Sequence, residues 1–596
     1  MNNYKLNISI AAFLLLGFLS SCNDEFLERA PIVNISDANY WKSANDLKLY
    51  VNNLYNRSDL LNPYTDWGTI GPYGVDADNG SDTQVTYNYN TRMNGESTLP
   101  ASGGGWSTSN WAALRDINYF IDNYKRVDVA WNQVQPYVGE ALFFRSIFYF
   151  DKLRRFGNLP WISSTLNNTS TLLYEGRLPR NQVTDSIMVD LDKAIEYLPE
   201  RGKTYSGRIT KEAAMLLQAR IALYEGTWEK YHGIKNTPFK VNGSDGSKYI
   251  QKAAEASGDL MKLSEKTGNS GLIDGSRYGY TNLFNQRDYS ANKEVILWRK
   301  FSKDEEQYTR WGSYYAAGRG LTKSMIDSYL CLDGKPITLS PLYKGDKTLK
   351  DIITNRDPRL NQTIFVDDGA HCLTADFNRF FTVPTFEGVI TQNCPTGYQL
   401  YKGYNTNYEE CTNQQSTTGV IYFRYAEALL IYAEAKAELE TITQDDINKT
   451  INALRKRVGM SEGLLKMADI PTDTNWDFKN ISPLLNEIRR ERKVELACEG
   501  FRVDDLFRWA AIDEVIVGKR PKGAFKAQWK DYPNSTTAFI EAWEQLKADN
   551  NGFIDMYQGF SAVSNGFKFN LGRDYLYPIP TTELTLNPQL GQNPGW

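Results

Sequence analysis

Alanine-rich stripes at helical spacing are the feature that most constrains how this chain can fold. In residues 210–231, Thr210 is placed to cap a helix, and Ala213 and Leu217 then recur on one face. Residues 422–440 show the same pattern, with several alanines on the packing stripe. Because alanine adds little bulk beyond the backbone, helices with such stripes can approach one another closely. The chain is therefore predicted to be mostly α-helical, with its helices packed in pairs.

Further blocks with helical periodicity extend this scaffold. Ser36 is a candidate cap for the first of them, and Gly500 is a candidate break in the last; the blocks span residues 36–56, 110–124, 138–156 and 481–513. Paired helices of this kind suggest hairpins of the tetratricopeptide type, although the 34-residue period is not clean. We assign the helical scaffold mainly to residues 36–57, 108–266 and 420–515. We assign the loop-rich region, where function is expected, mainly to residues 63–107, 268–419 and 516–596.

The first 22 residues are typical of an export signal that ends in a cysteine. Lys5 is the only charge before Asp24, and an apolar run at residues 6–19 is shorter than the roughly 20 residues that span a bilayer. The sequence Leu-Ser-Ser-Cys that ends at Cys22 resembles a bacterial lipobox. We predict a lipoprotein signal peptide at residues 1–21, followed by a lipidated Cys22 and a tether to residue 35. The alternative is an ordinary signal peptide with a coincidental cysteine.

Charge and residue usage exclude several classes of function. The 596 residues contain 67 Lys and Arg against 71 Asp and Glu, so the net charge of -4 argues against nucleic-acid binding. The chain has 2 histidines and no C-x-x-C pair, so neither catalysis by several histidines nor a zinc site is predicted, and no cofactor is implied. The acidic run at residues 76–82 misses the spacing of a calcium loop, and a polar turn is the preferred interpretation.

The cysteines beyond Cys22 allow disulfides in an exported protein. Cys331, Cys372, Cys394 and Cys411 are the candidates, and their pairing is left open, with Cys394–Cys411 preferred. Cys498 lies in a helical pattern and is expected to be a buried apolar residue.

Three long segments match the motifs of a known protein family. They read YFRYAEALLIYAEAKAEL at residues 422–439, LNEIRRERKVELACEGFRVDDLFRW at residues 485–509, and YLYPIPTTELTLNPQLGQNPGW at residues 575–596. With these segments the chain resembles the SusD/RagB family of outer-membrane lipoproteins. The resemblance implies one SusD-like domain over residues 36–596. It also implies tetratricopeptide-like helix pairs on one side and an irregular, loop-rich side with minor β-structure.

The same resemblance implies a non-catalytic glycan-binding lipoprotein on the outer surface of the outer membrane. Such a protein captures an oligosaccharide or polysaccharide and delivers it to a TonB-dependent transporter of the SusC type, with the helix pairs facing the transporter. Two alternatives remain. A receptor for another nutrient, such as peptide, has the same architecture. A surface glycosidase needs a pair of carboxylates, but the chain lacks the strand–helix alternation of a sugar-cleaving barrel.

Two aromatic loops are the candidate glycan site. Sugars present C–H faces ringed by hydroxyls, which suit the flat apolar face and polar tip of Trp and Tyr. The loops span residues 64–92 and 307–320, the regions in which SusD relatives place ligand-binding loops. The candidate platforms are Trp67 and Trp311, followed by Tyr73 and Tyr314, with Asp78, Asn79 and Arg310 as hydroxyl partners. The alternative is that each Trp plugs its own loop.

Other prominent residues have a structural interpretation. The charged residues of the motif at 485–509 recur at helical spacing and are expected to form ion pairs that brace neighbouring helices rather than to contact ligand. Trp298 lies in the sequence VILWRKF, which predicts a buried strand. Trp106 and Trp111 flank a helix start and are expected to pack against it.

Overall fold

The computed structural model describes residues 40–61, 77–305, 318–388, 392–411, 415–533 and 535–596, except for the side chains of Phe377 and Cys411. The predictions for Cys22 and Ser36 lie outside these ranges. The helices of the first half are α1 (Ala44–Tyr55), α2 (Thr108–Asn123), α3 (Trp131–Phe156), α4 (Arg180–Tyr197), α5 (Lys211–Ile234) and α6 (Ser247–Thr267). None of the helices in the described ranges combines the length and the apolar character that a bilayer span requires.

The second half has shorter helices joined by longer loops. They are α7 (Gly279–Asn282), α8 (Lys323–Ser328), α9 (Leu349–Ile353), α10 (Pro358–Asn361), α11 (Tyr425–Glu438), α12 (Gln444–Lys449), α13 (Ile451–Arg457), α14 (Pro483–Glu495), α15 (Arg502–Arg508), α16 (Ile512–Val515), α17 (Thr537–Gln545) and α18 (Thr581–Leu586). Helices α11 to α16 lie within residues 420–515, and α7 to α10, α17 and α18 lie in the segments assigned to the loop-rich region.

The β-structure is limited to short antiparallel pairs. The strands are β1 (Gln84–Thr86), β2 (Val295–Arg299), β3 (Arg319–Leu321), β4 (Cys372–Thr374), β5 (Arg379–Phe380) and β6 (Val420–Arg424). Strand β1 pairs with β3, β2 with β6, and β4 with β5. The predicted strand around Trp298 is therefore confirmed, and Trp298 is buried, with its indole N–H donating to Ser206 Oγ at 2.9 Å.

Helix α5 shows how the alanine-rich stripes form the scaffold. Thr210 caps it, accepting a hydrogen bond from the backbone N–H of Ala213, as predicted. Gly226 lies so close to α6 that a Cβ at this position would be 2.6 Å from Ile250 Cγ1. Small residues thus set the spacing of this helix pair. The same chain of packing runs from α3 through α4, α5 and α6 to α11 and then α14.

Several predicted helices have different boundaries: α1 begins at Ala44, after the cap Ser43, rather than near Ser36, and α3 begins at Trp131 rather than at residue 138. The segment predicted as a helix from residue 422 begins as strand β6, and α11 starts only at Tyr425. The β-forming residues Val420 to Phe423 pair with β2 and delay the helix start. The segment at 481–513 is split into α14, α15 and α16, and the predicted break at Gly500 is confirmed. Cys498 and Gly500 both have positive φ values, 62° and 82°, which no continuing α-helix contains.

Two apolar cores underlie the two regions. The larger lies between the helices and includes the fully buried Phe143, Leu216 and Leu430. The smaller lies beneath the loop-rich region and includes Trp298 and Trp529. Trp106 packs edge-on against Trp111 and Phe156 at centroid distances of 5.1 and 4.9 Å. The packing role expected of Trp106 and Trp111 is therefore confirmed.

Buried ion pairs connect the two regions. Glu495 of α14 accepts hydrogen bonds from Arg359, Arg424 and Arg457 at 2.6–2.9 Å. The three guanidinium groups hold the pKa of Glu495 well below its usual range, although burial acts in the opposite direction. The charged motif at residues 485–509 therefore braces the fold, as predicted. Most of its partners come from distant segments rather than from the same helix.

The predicted disulfides are wrong for the cysteines that the structure describes. Cys331, Cys372, Cys394 and Cys498 are free thiols, so the preferred pair Cys394–Cys411 does not form. Cys394 is buried, and burial raises its thiol pKa to about 11. Cys498 is buried as expected.

The Glu434–Arg508 pair gives a testable pH dependence. Glu434 is buried and accepts two hydrogen bonds from Arg508, at 2.6 and 2.7 Å, which lower its pKa to about 2 despite the opposing effect of burial. Because an unfolded Glu titrates near 4.3, this pair stabilises the fold above about pH 4.3, and the contribution is lost as the pH falls towards 2. We expect Glu434→Gln to lower the melting temperature at pH 7 by several degrees and to reduce its decline between about pH 5 and 2.

The matched control is Glu255→Gln, the same change at an exposed position on α6. It should leave the melting curve at every pH close to that of the wild type. A Glu434→Gln variant that melts like the wild type at pH 7 would contradict the assigned role of this pair.

Candidate functional site

The two predicted binding loops meet at one antiparallel strand pair. Strand β1 lies in the first loop segment, and β3 ends the second. Gln84 pairs with Leu321, Val85 with Gly320, and Thr86 with Arg319. This pairing was not predicted from the sequence, and it brings together the described ends of two segments more than 200 positions apart. We call this strand pair and its anchors the loop stem.

Local hydrogen bonds fix the loop stem. The backbone N–H of Thr322 donates to the carbonyl of Thr83 at 3.0 Å, and the Thr322 hydroxyl caps helix α8. Tyr557 donates its hydroxyl to the carbonyl of Thr86 at 2.7 Å. Only glycine fits at position 320 in this packing, because the Cβ of any other residue would be 2.1 Å from Thr396 Oγ1.

Asp82 connects the loop stem to the charged motif at residues 485–509. Its carboxylate accepts from Arg502 Nε at 2.7 Å and from Lys493 Nζ at 2.9 Å. All three side chains are buried, and the two cations hold the pKa of Asp82 well below its usual range against the effect of burial. Asp82 is therefore a structural anchor. In the part of the chain that the structure describes, no group of His, Cys, Asp and Glu side chains is arranged to hold a metal ion.

The structure places only two of the predicted ligand residues. Trp67, Tyr73, Arg310, Trp311 and Tyr314 lie outside the described residues. Asp78 is only 1% exposed, and its carboxylate accepts the backbone N–H of Arg502 at 3.0 Å. Burial raises its pKa to about 7. Asn79 is half-buried and forms a bridge with Gln84 at the base of the loop stem.

A cavity of about 690 Å³ lies beside the loop stem, and Asn79 contributes to its lining. This volume falls in the range of pockets that hold small ligands. The walls come from the first loop segment, from α3, α5 and α15, and from Tyr577 near the C-terminus. The guanidinium of Arg92 stacks 3.9 Å from the centre of the Tyr577 ring and donates to the carbonyl of Asp574. The cavity thus combines aromatic faces with hydrogen-bond donors.

Most of the cavity lining was not predicted from the sequence. Lys152, Arg154 and Arg155 of α3 contribute to it, together with Phe501 and Asp504. The three cations within four positions at the end of α3 were the signal in the sequence that could have indicated this lining. Fewer cations are enough to complement the negative end of a helix dipole. Tyr87 beside β1 is 38% exposed and is a further aromatic face near the loop stem.

The comparisons with known proteins identify the family. The SusD family model matches residues 263–596, more than half of the chain. This chain belongs to the SusD family. A second family model, described as "Starch-binding associating with outer membrane", matches residues 74–223.

Individual SusD relatives are similar over nearly the whole length. SusD-like protein P2 of Formosa agariphila is 24% identical over 608 residues and covers 100% of both chains. The crystal structure of a SusD-like carbohydrate-binding protein from Bacteroides fragilis has a TM-score of 0.67 at 22% identity, covering 92% of this chain and 99% of that one. A laminarin-binding SusD-like protein has a TM-score of 0.54 at 18% identity, covering 93% and 100%. The predicted mostly helical, SusD-like fold is confirmed.

Removal of the Asp82 charge tests the anchoring of the loop stem. In Asp82→Asn, Lys493 and Arg502 lose a buried counter-charge, and breaking such a pair costs about 3–5 kcal/mol. We expect the melting temperature to fall by several degrees, measured by thermal unfolding at pH 7. Asp259→Asn, the same change at an exposed position on α6, is the control. An Asp82→Asn variant as stable as this control would show that the ion pairs do not hold the loop stem.

Proposed function

We propose that this SusD-family protein is a non-catalytic cell-surface receptor that captures a glycan and passes it to a SusC-type TonB-dependent transporter. The observation that carries the glycan assignment is the pairing of β1 with β3. It joins the described ends of the two segments that contain Trp67 and Trp311. Two aromatic platforms on neighbouring segments suit a chain of sugar rings, whose apolar faces repeat along the polymer.

The relatives support a carbohydrate ligand. One solved SusD-like structure is described as carbohydrate-binding, another as laminarin-binding, and the second family model as starch-binding. The polar and aromatic lining of the cavity beside the loop stem adds support. A peptide receptor is the alternative, and it is the outcome favoured if no glycan binds.

A binding role agrees with the carboxylates near the loop stem. A glycosidase needs an accessible acid with a raised pKa and a second carboxylate about 5–10 Å away. Asp78 has a raised pKa, but it is buried and bound by the backbone N–H of Arg502. Asp82 is engaged by Arg502 and Lys493. Neither carboxyl group is available to a glycosidic oxygen.

Binding to a panel of polysaccharides tests the glycan assignment. We expect the purified full chain to be retarded in affinity gels by at least one glycan and to release no reducing sugar from it. Trp67→Ala and Trp311→Ala should each weaken binding about tenfold, or about 1.4 kcal/mol, with little change in melting temperature.

Trp131→Ala is the matched control, because Trp131 of α3 is 45% exposed and belongs to neither loop. It should leave glycan binding unchanged. Release of reducing sugar would contradict the non-catalytic assignment. A large fall in melting temperature for Trp67→Ala or Trp311→Ala would instead show that these residues plug their loops.

We propose that Cys22 anchors the protein to the outer membrane through its acyl chains. The support is the lipobox-like sequence and the second family model, whose description includes the outer membrane. Several acyl chains on one residue give stable anchoring, whereas a single chain is marginal. Cys22→Ser should move the protein from the membrane fraction to the soluble fraction of the cell. Cys372→Ser, at a half-buried free thiol, should remain in the membrane fraction. Membrane retention of Cys22→Ser would contradict the lipid anchor.

A further inference from the structure

The cavity beside the loop stem has an unusual arrangement of charge. Lysine and arginine side chains outnumber carboxylates among its described lining residues. The lining carboxylates already have cationic partners: Asp59 pairs with Arg57, Asp151 and Asp504 with Arg154, and Asp505 with Arg492 and Arg508. The carboxylates of the wall therefore already have cationic partners. An added anion would be recognised by the cations of the wall that lack a carboxylate partner among the described residues.

Lys152 is the clearest example of a cation in the described cavity wall without a carboxylate partner. It is buried at 6% exposure, and its ammonium group donates to the carbonyl of Gly105 at 2.8 Å. Among the described residues it forms no ion pair, so two of its three N–H donors have no protein acceptor. Asp151 and Asp59 are the nearest carboxylates that favour its charge, and Arg155 opposes it. Burial outweighs these effects and lowers the pKa of Lys152. An anion beside the ammonium group would stabilise its positive charge and oppose the effect of burial.

Arg155 brings a second cation to the same place. Its side chain is 49% exposed and contacts Asp151 at 3.3 Å, an open geometry that leaves its terminal nitrogens available. A Cβ on Gly105 would be 3.2 Å from Arg155 Nη1. Gly105 thus binds Lys152 through its carbonyl and lies close to Arg155, so both cations belong to the same part of the cavity wall.

The wall contains two further donors without partners. Tyr224 and Arg492 are 3% and 4% exposed and contribute to the same cavity. The Tyr224 hydroxyl and Arg492 Nη1 are buried and have no hydrogen-bond partner in the described part of the chain. Both atoms are shielded from solvent, so they lie behind the cavity surface and add polarity to the wall without contacting a ligand.

We propose that this cavity binds an acidic saccharide, and that Lys152 and Arg155 hold its carboxylate or sulfate group. This inference rests on the proposed glycan-binding function and names the class of glycan. The anionic oxygens accept charge-assisted hydrogen bonds from the two cations. Tyr577 and Phe501 line the same cavity and add apolar surface for the sugar. Hydroxyls of the same saccharide provide acceptors for the N–H donors that remain on Lys152 and Arg155.

Matched oligosaccharides that differ only in charge test the proposal. Calorimetry on the full chain in detergent would compare tetragalacturonate with its methyl ester, and a sulfated galactan oligosaccharide with its desulfated form. We expect the acidic member of at least one pair to bind at least tenfold more tightly. The two pairs distinguish a carboxylate ligand from a sulfate ligand. The advantage should shrink as sodium chloride rises from 50 to 500 mM, because salt screens partly exposed charges.

Variants of Lys152 and Arg155 test whether these two cations cause the preference for the acidic ligand. Arg155→Gln, at a half-exposed position where folding tolerates change, should weaken binding of the acidic member about tenfold and leave the neutral member unaffected. Lys152→Gln should act in the same direction, and Lys152→Arg should retain the preference because it keeps the charge. Lys262→Gln, at an exposed position on α6, is the control and should have no effect.

Three outcomes would overturn the proposal. Equal binding of both members of each pair, together with binding of a neutral polysaccharide, would leave the receptor function intact and remove the acidic preference. An acidic preference unchanged in folded Arg155→Gln and Lys152→Gln would place the recognition of charge elsewhere. Binding of no glycan in any form would overturn the proposed function itself, and the acidic preference with it.

Discussion

The buried carboxylate of Glu495 is the interaction on which the rest of the structure depends. It receives Arg359 from α10, Arg424 from β6 and Arg457 from α13, so one side chain joins three separate segments to α14. Burial of these charges is costly, and the cost is offset only while every partner stays in place. Removal of one partner would leave an unpaired charge in a dry interior. The network therefore specifies a single arrangement of these segments.

The same network extends to the loop stem. Arg492 pairs with Asp505, and Arg502 and Lys493 pair with Asp82 next to β1. The loop stem is thus anchored to α14 and α15 through buried ion pairs. A site held by such anchors loses less conformational entropy when a ligand binds, which favours affinity. This gives the charged motif a physical role that agrees with the ion pairs expected from its helical spacing.

Local physics explains which parts of the fold could be predicted. The alanine stripe and the Thr210 cap are local signals, and they predicted α5 correctly. The start of α11 was misplaced because the pairing of β6 with β2 overrides the helical tendency of residues 422–424. The Cys394–Cys411 pairing was wrong because sequence spacing contains no information about the distance between two thiols in space. Arg359 and Arg424 could not be assigned to Glu495, since the partners lie more than 70 positions apart.

The site shows the same division between local and long-range information. The aromatic loops were predicted from composition, but the pairing that joins them and the burial of Asp78 depend on contacts between distant segments. Net charge illustrates the limit most clearly. A value of -4 excludes broad neutralisation of a polyphosphate, which needs many cations on one surface. The net charge of the whole chain does not determine the charge of a single cavity. Beside Gly105, two cations lie in a wall whose described carboxylates all have other partners. An acidic protein can therefore present a local site for one or two anionic groups, because recognition depends on the few charges within a Debye length of the ligand.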